Sequence, residues 1–200
     1  VLDGPVLAAI LLVASTAFTY SLMWRAGPER LYEFEPQLRP ILVAFGAAIL
    51  ATIPLLLLTR EWAGPALALV GTGLVYLSVR LRDPMVLGAG WFHHLAGGSV
   101  FLATLAPASH GPVLENGWLG LLATCLVGTA MIAAAVVAAP GLFKREPDDD
   151  ASKVEMPVSA ALLAGLAFVN LAPLFVLSWR MSAMIWPVVG IATLVWALRT

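Results

Sequence analysis

Charged residues are scarce in this chain. Only 12% of its 200 residues are Asp, Glu, Lys or Arg, whereas soluble domains carry about 25%. The net charge is −1, so the sequence has no basic surface of the kind that binds nucleic acid. A single cysteine, Cys125, excludes an internal disulfide framework. A soluble enzyme, a disulfide-stabilised secreted domain and a nucleic-acid-binding protein are therefore excluded.

Hydrophobic residues dominate instead. They make up 60% of the chain, and the mean hydropathy is +0.92. Residues 84–114 and 116–143 contain no charged side chain at all. A helix that crosses a bilayer needs about 20 predominantly apolar residues. Because the apolar runs are continuous rather than alternating, they favour helices over a barrel. The sequence predicts an all-α fold, a polytopic transmembrane helical bundle.

Seven apolar runs, bounded by charge, proline or glycine, are predicted to cross the membrane. They cover approximately residues 5–24, 40–59, 64–80, 84–108, 117–143, 158–178 and 182–198. Seven spans of about 20 residues use about 140 residues, which leaves too little chain for an extramembrane domain. Residues 1–200 are therefore predicted to form a single integral-membrane domain. Only Trp179–Met181 separates the last two spans, so they form either a tight hairpin or one long broken helix.

The basic residues alternate as seven spans require. Cytoplasmic loops of membrane proteins carry an excess of Lys and Arg. With the N-terminus outside, nine of the eleven basic residues fall on the cytoplasmic side: Arg25, Arg30, Arg39, Arg80, Arg82, Lys144, Arg145, Lys153 and Arg199. Only Arg60 and Arg180 fall on the other side. The pattern predicts a multi-pass protein of the plasma or inner membrane, with a cytoplasmic C-terminus.

Span four carries the most informative polar residues, which are Trp91, His93 and His94. Ionisable residues at membrane depth are costly and often functional. His93 follows Pro84 by nine residues, or about 14 Å along a helix, which is close to the bilayer midplane. Neighbouring helical residues point about 100° apart, so the two imidazoles face different directions. Room for a closely packed helix, or for a bulky flat ligand, is provided by Gly88, Gly90, Gly97 and Gly98.

Several interpretations of the histidine pair stay open. The imidazoles either bond to neighbouring helices as structural groups, or act as an axial ligand for haem or a chlorin, or bond to a quinone or another substrate. A zinc or copper site needs three or four ligands, and no such cluster is visible. The third histidine, His110, follows His94 by sixteen residues, about 24 Å along a helix. One chain therefore cannot easily sandwich a haem between two histidines at the midplane, and a partner chain, a symmetry mate or a methionine would have to supply the second ligand.

These features predict an accessory or core subunit of a larger respiratory or photosynthetic membrane complex. Trp91, His93 and His94 are its predicted cofactor-binding residues, in contact with haem, a chlorin or a quinone. Its predicted partners are the lipid bilayer and other membrane subunits or further copies of the chain, and not nucleic acid. Because no nucleophile, carboxylate pair or metal cluster is visible in the spans, we expect no catalytic activity of its own.

A small permease or facilitator is the alternative function. Pro54 lies inside span two, and Asn170 and Pro173 lie inside span six. Helix breaks at such positions often line the substrate site of transporters. A midplane site between spans two, four and six would combine these three substrate-binding residues with His93 and His94. No Asp, Glu, Lys or Arg lies deep in a span, which disfavours a proton-coupled carrier.

Overall fold

The computed structural model describes residues 4–34, 38–142 and 152–197. These residues form seven α-helices and one short 3-10 helix: α1 (Gly4–Phe34), α2 (Leu38–Leu57), α3 (Arg60–Leu81), α4 (Pro84–Leu102), α5 (Gly117–Leu142), α6 (Ser152–Leu171), the 3-10 helix Ala172–Phe175 and α7 (Trp179–Ala197). They contain no strand, and their only bridge pairs Pro107 with Leu114. The predicted all-α fold is confirmed.

Four helical segments are long and apolar enough to cross a membrane. They are Pro40–Leu57, Arg60–Leu81, Gly117–Ala139 and Met156–Phe175. Gly4–Thr19 is a shorter apolar helix. The helix α4 is not among the four, because two histidines and four glycines dilute its apolar residues. The four segments identify a helical membrane protein.

Several helix boundaries differ from the predicted spans, and α6 in particular covers Ser152–Leu171 where residues 158–178 were predicted. The first helix continues to Phe34, although span one is predicted to end near residue 24. The fourth helix ends at Leu102, although span four is predicted to reach residue 108. Pro107 has no backbone N–H to continue a helix. The chain instead closes a loop there, in which Ala108 N donates to Val113 O at 3.1 Å.

The hairpin of α3 and α4 is closed by a two-residue turn. Arg82 adopts the left-handed conformation, with φ of 53°. Asp83 then caps α4, because its carboxylate accepts a hydrogen bond from Met85 N at 2.9 Å. Pro84 occupies the first turn of α4, where a missing N–H costs nothing. The two helices consequently run antiparallel and side by side.

Glycines bring the backbones of paired helices into contact. A Cβ at Gly97 of α4 would lie 2.7 Å from the carbonyl oxygen of Gly64 in α3. The same relation holds between α5 and α6, where a Cβ at Gly128 would lie 2.7 Å from the carbonyl oxygen of Gly165. Small residues at helix crossings are typical of membrane bundles, since close packing drives association in lipid. Between these pairs, α3 packs on α5, and α2 packs on α1, α3 and α4.

The start of α3, the end of α4, the start of α5 and the 3-10 helix meet at one end of the bundle. Trp62, Thr104, Asn116 and Phe175 all border one small cavity there. The backbone N–H groups of Val113 and Leu114 both donate to Leu174 O at 3.0 Å. This end of the bundle, which we call the strapped end, is therefore closed by the α4–α5 loop. It is defined by residues 58–62, 103–117 and 172–178.

The chain reverses direction between α6 and α7. Trp186 Nε1 in α7 donates to the backbone oxygen of Asn170 in α6 at 2.9 Å. Sixteen residues of continuous helix would separate these positions by about 24 Å. One unbroken helix through residues 158–198 is therefore ruled out, and the tight hairpin of two spans stays a prediction.

Candidate functional site

His93 is completely buried on the side of α4 that faces α2. Its exposed fraction is 0%, and its Nδ1 lies 2.8 Å from the carbonyl oxygen of Ala89, one turn earlier in the helix. The ring also faces the backbone of Ala47 in α2 and makes an edge contact with Phe92 at 5.9 Å between ring centroids. Nε2 has no hydrogen-bond partner within the described residues.

His94 is buried on a different side, against α3. Its exposed fraction is 3%. A Cβ at Gly71 of α3 would lie only 3.0 Å from the His94 ring, so the ring occupies space that the glycine leaves free. Neither Nδ1 nor Nε2 has a partner in the described part of the chain. The prediction that the two imidazoles face different directions is confirmed.

Trp91 joins the two histidines in one polar cluster on α4. Its ring centroid lies 5.9 Å from that of His94, and its side chain packs against a cluster of small residues from α5 and α6 that includes Ala135 and Ala161. Trp91 Nε1 is buried and, like three histidine nitrogens, lacks a partner among residues 4–34, 38–142 and 152–197. An unsatisfied buried polar group costs about 1–3 kcal/mol. These three residues, which we call the α4 cluster, therefore contain several buried ring nitrogens that lack hydrogen-bond partners.

An apolar groove of about 390 Å³ lies beside this cluster, between α2 and α4. We call it the α2–α4 groove. It is lined by Pro40, Val43, Ala44, Ala47, Ala48, Met85, Gly88, Ala89 and Phe92. Three of these residues, Ala47, Ala89 and Phe92, are also the neighbours of His93. The same three residues thus line the groove on one side and contact the His93 imidazole on the other.

The three predicted substrate-binding residues lie apart from this cluster. Pro54 is buried in α2, seven residues beyond Ala47, which is about 10 Å along the helix. Asn170 directs its amide to its own helix, donating to Leu166 O at 2.8 Å. Pro173 is the second residue of the 3-10 helix at the strapped end. The permease site between spans two, four and six stays a prediction.

The α2–α4 groove was not anticipated from the sequence. Its α2 side is built from small residues, Ala44, Ala47 and Ala48. The small residues Ala44, Gly46, Ala47 and Ala48 were the available signal, but nothing in the sequence shows that they lie opposite His93. Within the described residues, no three His, Cys, Asp or Glu side chains come together to hold a metal ion.

Comparison with known proteins gives no relative. No protein-family model, no curated protein and no solved structure matches the chain. Function must therefore be argued from the α4 cluster and its surroundings.

We predict that His94→Leu stabilises the protein after its lipids and ligands have been removed. The substitution removes two buried nitrogens without partners, and the free energy of unfolding should rise by about 1–2 kcal/mol. Thermal unfolding in detergent measures the change. His110→Leu is the matched control, because His110 is exposed and should leave the stability unchanged. A loss of stability in His94→Leu would contradict the assignment of unpaired nitrogens.

Proposed function

We propose that this protein is a membrane-embedded subunit of a respiratory or photosynthetic complex that holds a lipid-soluble cofactor at the α4 cluster. The observation that carries the proposal is the set of four buried nitrogens without partners in the described residues, Trp91 Nε1, His93 Nε2 and both nitrogens of His94. Such groups are hydrogen-bonded or coordinated in most proteins. A bound cofactor would supply the missing interactions.

The orientation of His93 supports a bound group rather than a purely structural role. Imidazoles that bind a metal usually donate their second N–H to a backbone carbonyl or carboxylate, which fixes the ring. The Nδ1 contact with Ala89 O at 2.8 Å does this in His93, whose ring is held on its other side by the backbone of Ala47. Haem iron and chlorins take imidazole ligands, and quinones take hydrogen bonds from such groups.

A partner subunit follows from the position of the remaining histidine. His110 is exposed in the loop between α4 and α5 at the strapped end, whereas His93 lies nine residues before the end of α4. The chain therefore offers no second imidazole opposite His93. A bis-histidine haem at this site would need its second imidazole from another chain, which favours membership of a complex.

Seven crossings, an outside N-terminus and a cytoplasmic C-terminus in the plasma or inner membrane belong to the same proposal. Two observations support this topology. The described residues form seven α-helices, and nine of the eleven basic residues fall on the loops expected at the cytoplasmic side. The strapped end also supports it, because it gathers the loops that are expected outside.

Purified protein tests the cofactor proposal directly. We expect protein isolated in mild detergent to carry haem, a chlorin or a quinone at about one molecule per chain, as one buried site implies. An absorption spectrum and analysis of a solvent extract measure the content, and co-purifying chains are identified at the same time. His93→Ala with His94→Ala should remove most of the cofactor, whereas His110→Ala should retain it. A colourless, monomeric preparation without quinone would refute the proposal.

A further inference from the structure

The last turn of α3 carries an exposed cation at the edge of the membrane. The helix is one of the four segments that are long and apolar enough to cross a bilayer, and its 22 residues end at Leu81. At about 1.5 Å per residue it is about 33 Å long, whereas the hydrocarbon core is about 30 Å thick. Arg80 therefore lies where lipid tails meet headgroups, whichever way the chain is inserted, and its side chain is exposed.

Tyr76 holds the guanidinium of Arg80 in place. Arg80 Nε donates to the Tyr76 hydroxyl at 3.1 Å, and Cζ lies 5.3 Å from the centre of the Tyr76 ring. A guanidinium has five N–H groups, and the four on Nη1 and Nη2 bond to no residue in the described part of the chain. The neighbouring carboxylate, Asp83, is buried and caps α4 through Met85 N. The charge of Arg80 is thus held in one position with most of its donors available.

An apolar strip leads from this cation towards the middle of the membrane. Leu69, Gly73 and Tyr76 precede Arg80 by 11, 7 and 4 residues, and these spacings place all four on one face of the helix. Leu69 is 51% exposed and Tyr76 is 49% exposed, so the neighbouring helices leave this face open. A Cβ at Gly73 would meet nothing within 4 Å, which leaves a gap between the two larger side chains. We call these four residues the α3 strip.

We propose that the α3 strip binds a phospholipid with an anionic headgroup, whose phosphate accepts from Arg80 Nη1 and Nη2 while one acyl chain lies in the gap at Gly73. Guanidinium N–H groups match phosphate oxygens, and hydrogen bonds between charged groups are the stronger ones. Because Tyr76 already restrains the Arg80 side chain, less conformational entropy is lost on binding. The strip lies on the outer surface of α3, so the proposal is independent of any cofactor at the α4 cluster.

Two lipids with identical chains test the selection of the headgroup. They are dioleoyl phosphatidylglycerol, which is anionic, and dioleoyl phosphatidylcholine, whose own ammonium group competes with the guanidinium for the phosphate. The full chain in mild detergent is titrated with each lipid, and native mass spectrometry gives the Kd of the bound lipid. We expect phosphatidylglycerol to bind about fivefold more tightly, the factor that one arginine contributes at an anionic surface. Equal affinities would overturn the proposal, and so would displacement of the lipid by inorganic phosphate, which has no chain.

Two arginines at the same end of α3 distinguish a defined site from a general effect of charge. Arg80→Gln removes the group that binds the phosphate, and the preference for phosphatidylglycerol should fall to within about twofold. Arg82→Gln is the matched control, because it removes an equal charge from an exposed side chain two residues later. It should keep a preference of at least about threefold. An equal loss in the two variants would overturn the proposal, since the lipid would then respond to net charge alone.

Two further variants test the other parts of the strip. Tyr76→Phe keeps the ring and every charge but removes the hydroxyl that holds Arg80 Nε, so the preference should fall to about twofold. A preference equal to that of the wild type would overturn the role of Tyr76 in preparing the site.

Gly73→Leu fills the gap without meeting another side chain. Both lipids should then bind about threefold more weakly with the headgroup preference retained, which is roughly the value of one buried methylene group. Unchanged affinity for both lipids would overturn the placement of the acyl chain. Since the substituted side chains are exposed, none of the variants should melt below the wild type, and thermal unfolding in detergent checks this.

Discussion

Replacing Gly97 by leucine is expected to force α3 and α4 apart and to destabilise the folded protein strongly. A Cβ at this position would lie 2.7 Å from Gly64 O and 2.9 Å from Ala68 N, which are backbone atoms that cannot rotate away. Overpacking of this kind costs about 3 kcal/mol, which lowers the melting temperature by about 10 °C in a chain of this size. Size-exclusion chromatography and thermal unfolding in detergent measure both effects.

Gly88→Leu is the matched control for this experiment. It makes the same exchange on the same helix, so the gain in helix propensity is equal in the two variants. Because a Cβ at Gly88 meets nothing within 4 Å, this variant should elute and melt like the wild type. If both variants were equally destabilised, the loss could not be assigned to the crossing of α3 and α4.

The second large effect is expected for Phe175→Ala at the strapped end. Phe175 has an exposed fraction of 2%, and its ring packs over Gly120 and lies 6.3 Å from the ring of Phe101. Removing a buried phenylalanine costs about 3–5 kcal/mol. Thermal unfolding should show this loss, whereas Phe45→Ala on α2, where the side chain is 60% exposed, should change the stability little.

A second-site change sharpens this test. A Cβ at Gly120 would occupy the space of the Phe175 ring, so Gly120→Ala alone should also be destabilising. In the Phe175→Ala background the added methyl group should fill part of the cavity and recover stability. The two changes should therefore be non-additive, as expected for residues in direct contact. Strict additivity would show that the two positions do not pack together.

The helices themselves could be predicted from the sequence, because the length and continuity of an apolar run are local properties. The different directions of His93 and His94 were predictable for the same reason, since they follow from helical geometry alone. The hydrogen bond of the Asn170 amide to Leu166 O shows the limit of such reasoning. A polar side chain can be satisfied within its own helix as readily as across an interface.

The sequence does not show which helices pack against one another, and the role of each glycine depends on the helix that lies opposite it. Gly88, Gly90 and Gly97 are equivalent in sequence terms, as small residues that permit close approach. In the structure Gly90 and Gly97 contact α3, whereas Gly88 borders the α2–α4 groove. The spacing along α4 contains no information about which helix lies opposite each position. For the same reason, the pairing of His93 with Ala47 on α2 was not visible in the sequence.

The strapped end has a kinetic consequence. Hydrogen bonds from Val113 and Leu114 to Leu174 hold the α4–α5 loop across this end of the bundle, while the groove opens sideways between the first halves of α2 and α4. In the proposed seven-span arrangement, a small molecule that reaches α4 by this route diffuses in the plane of the membrane. Its arrival rate then scales with its mole fraction in the lipid, which depends on its concentration in water through its partition coefficient.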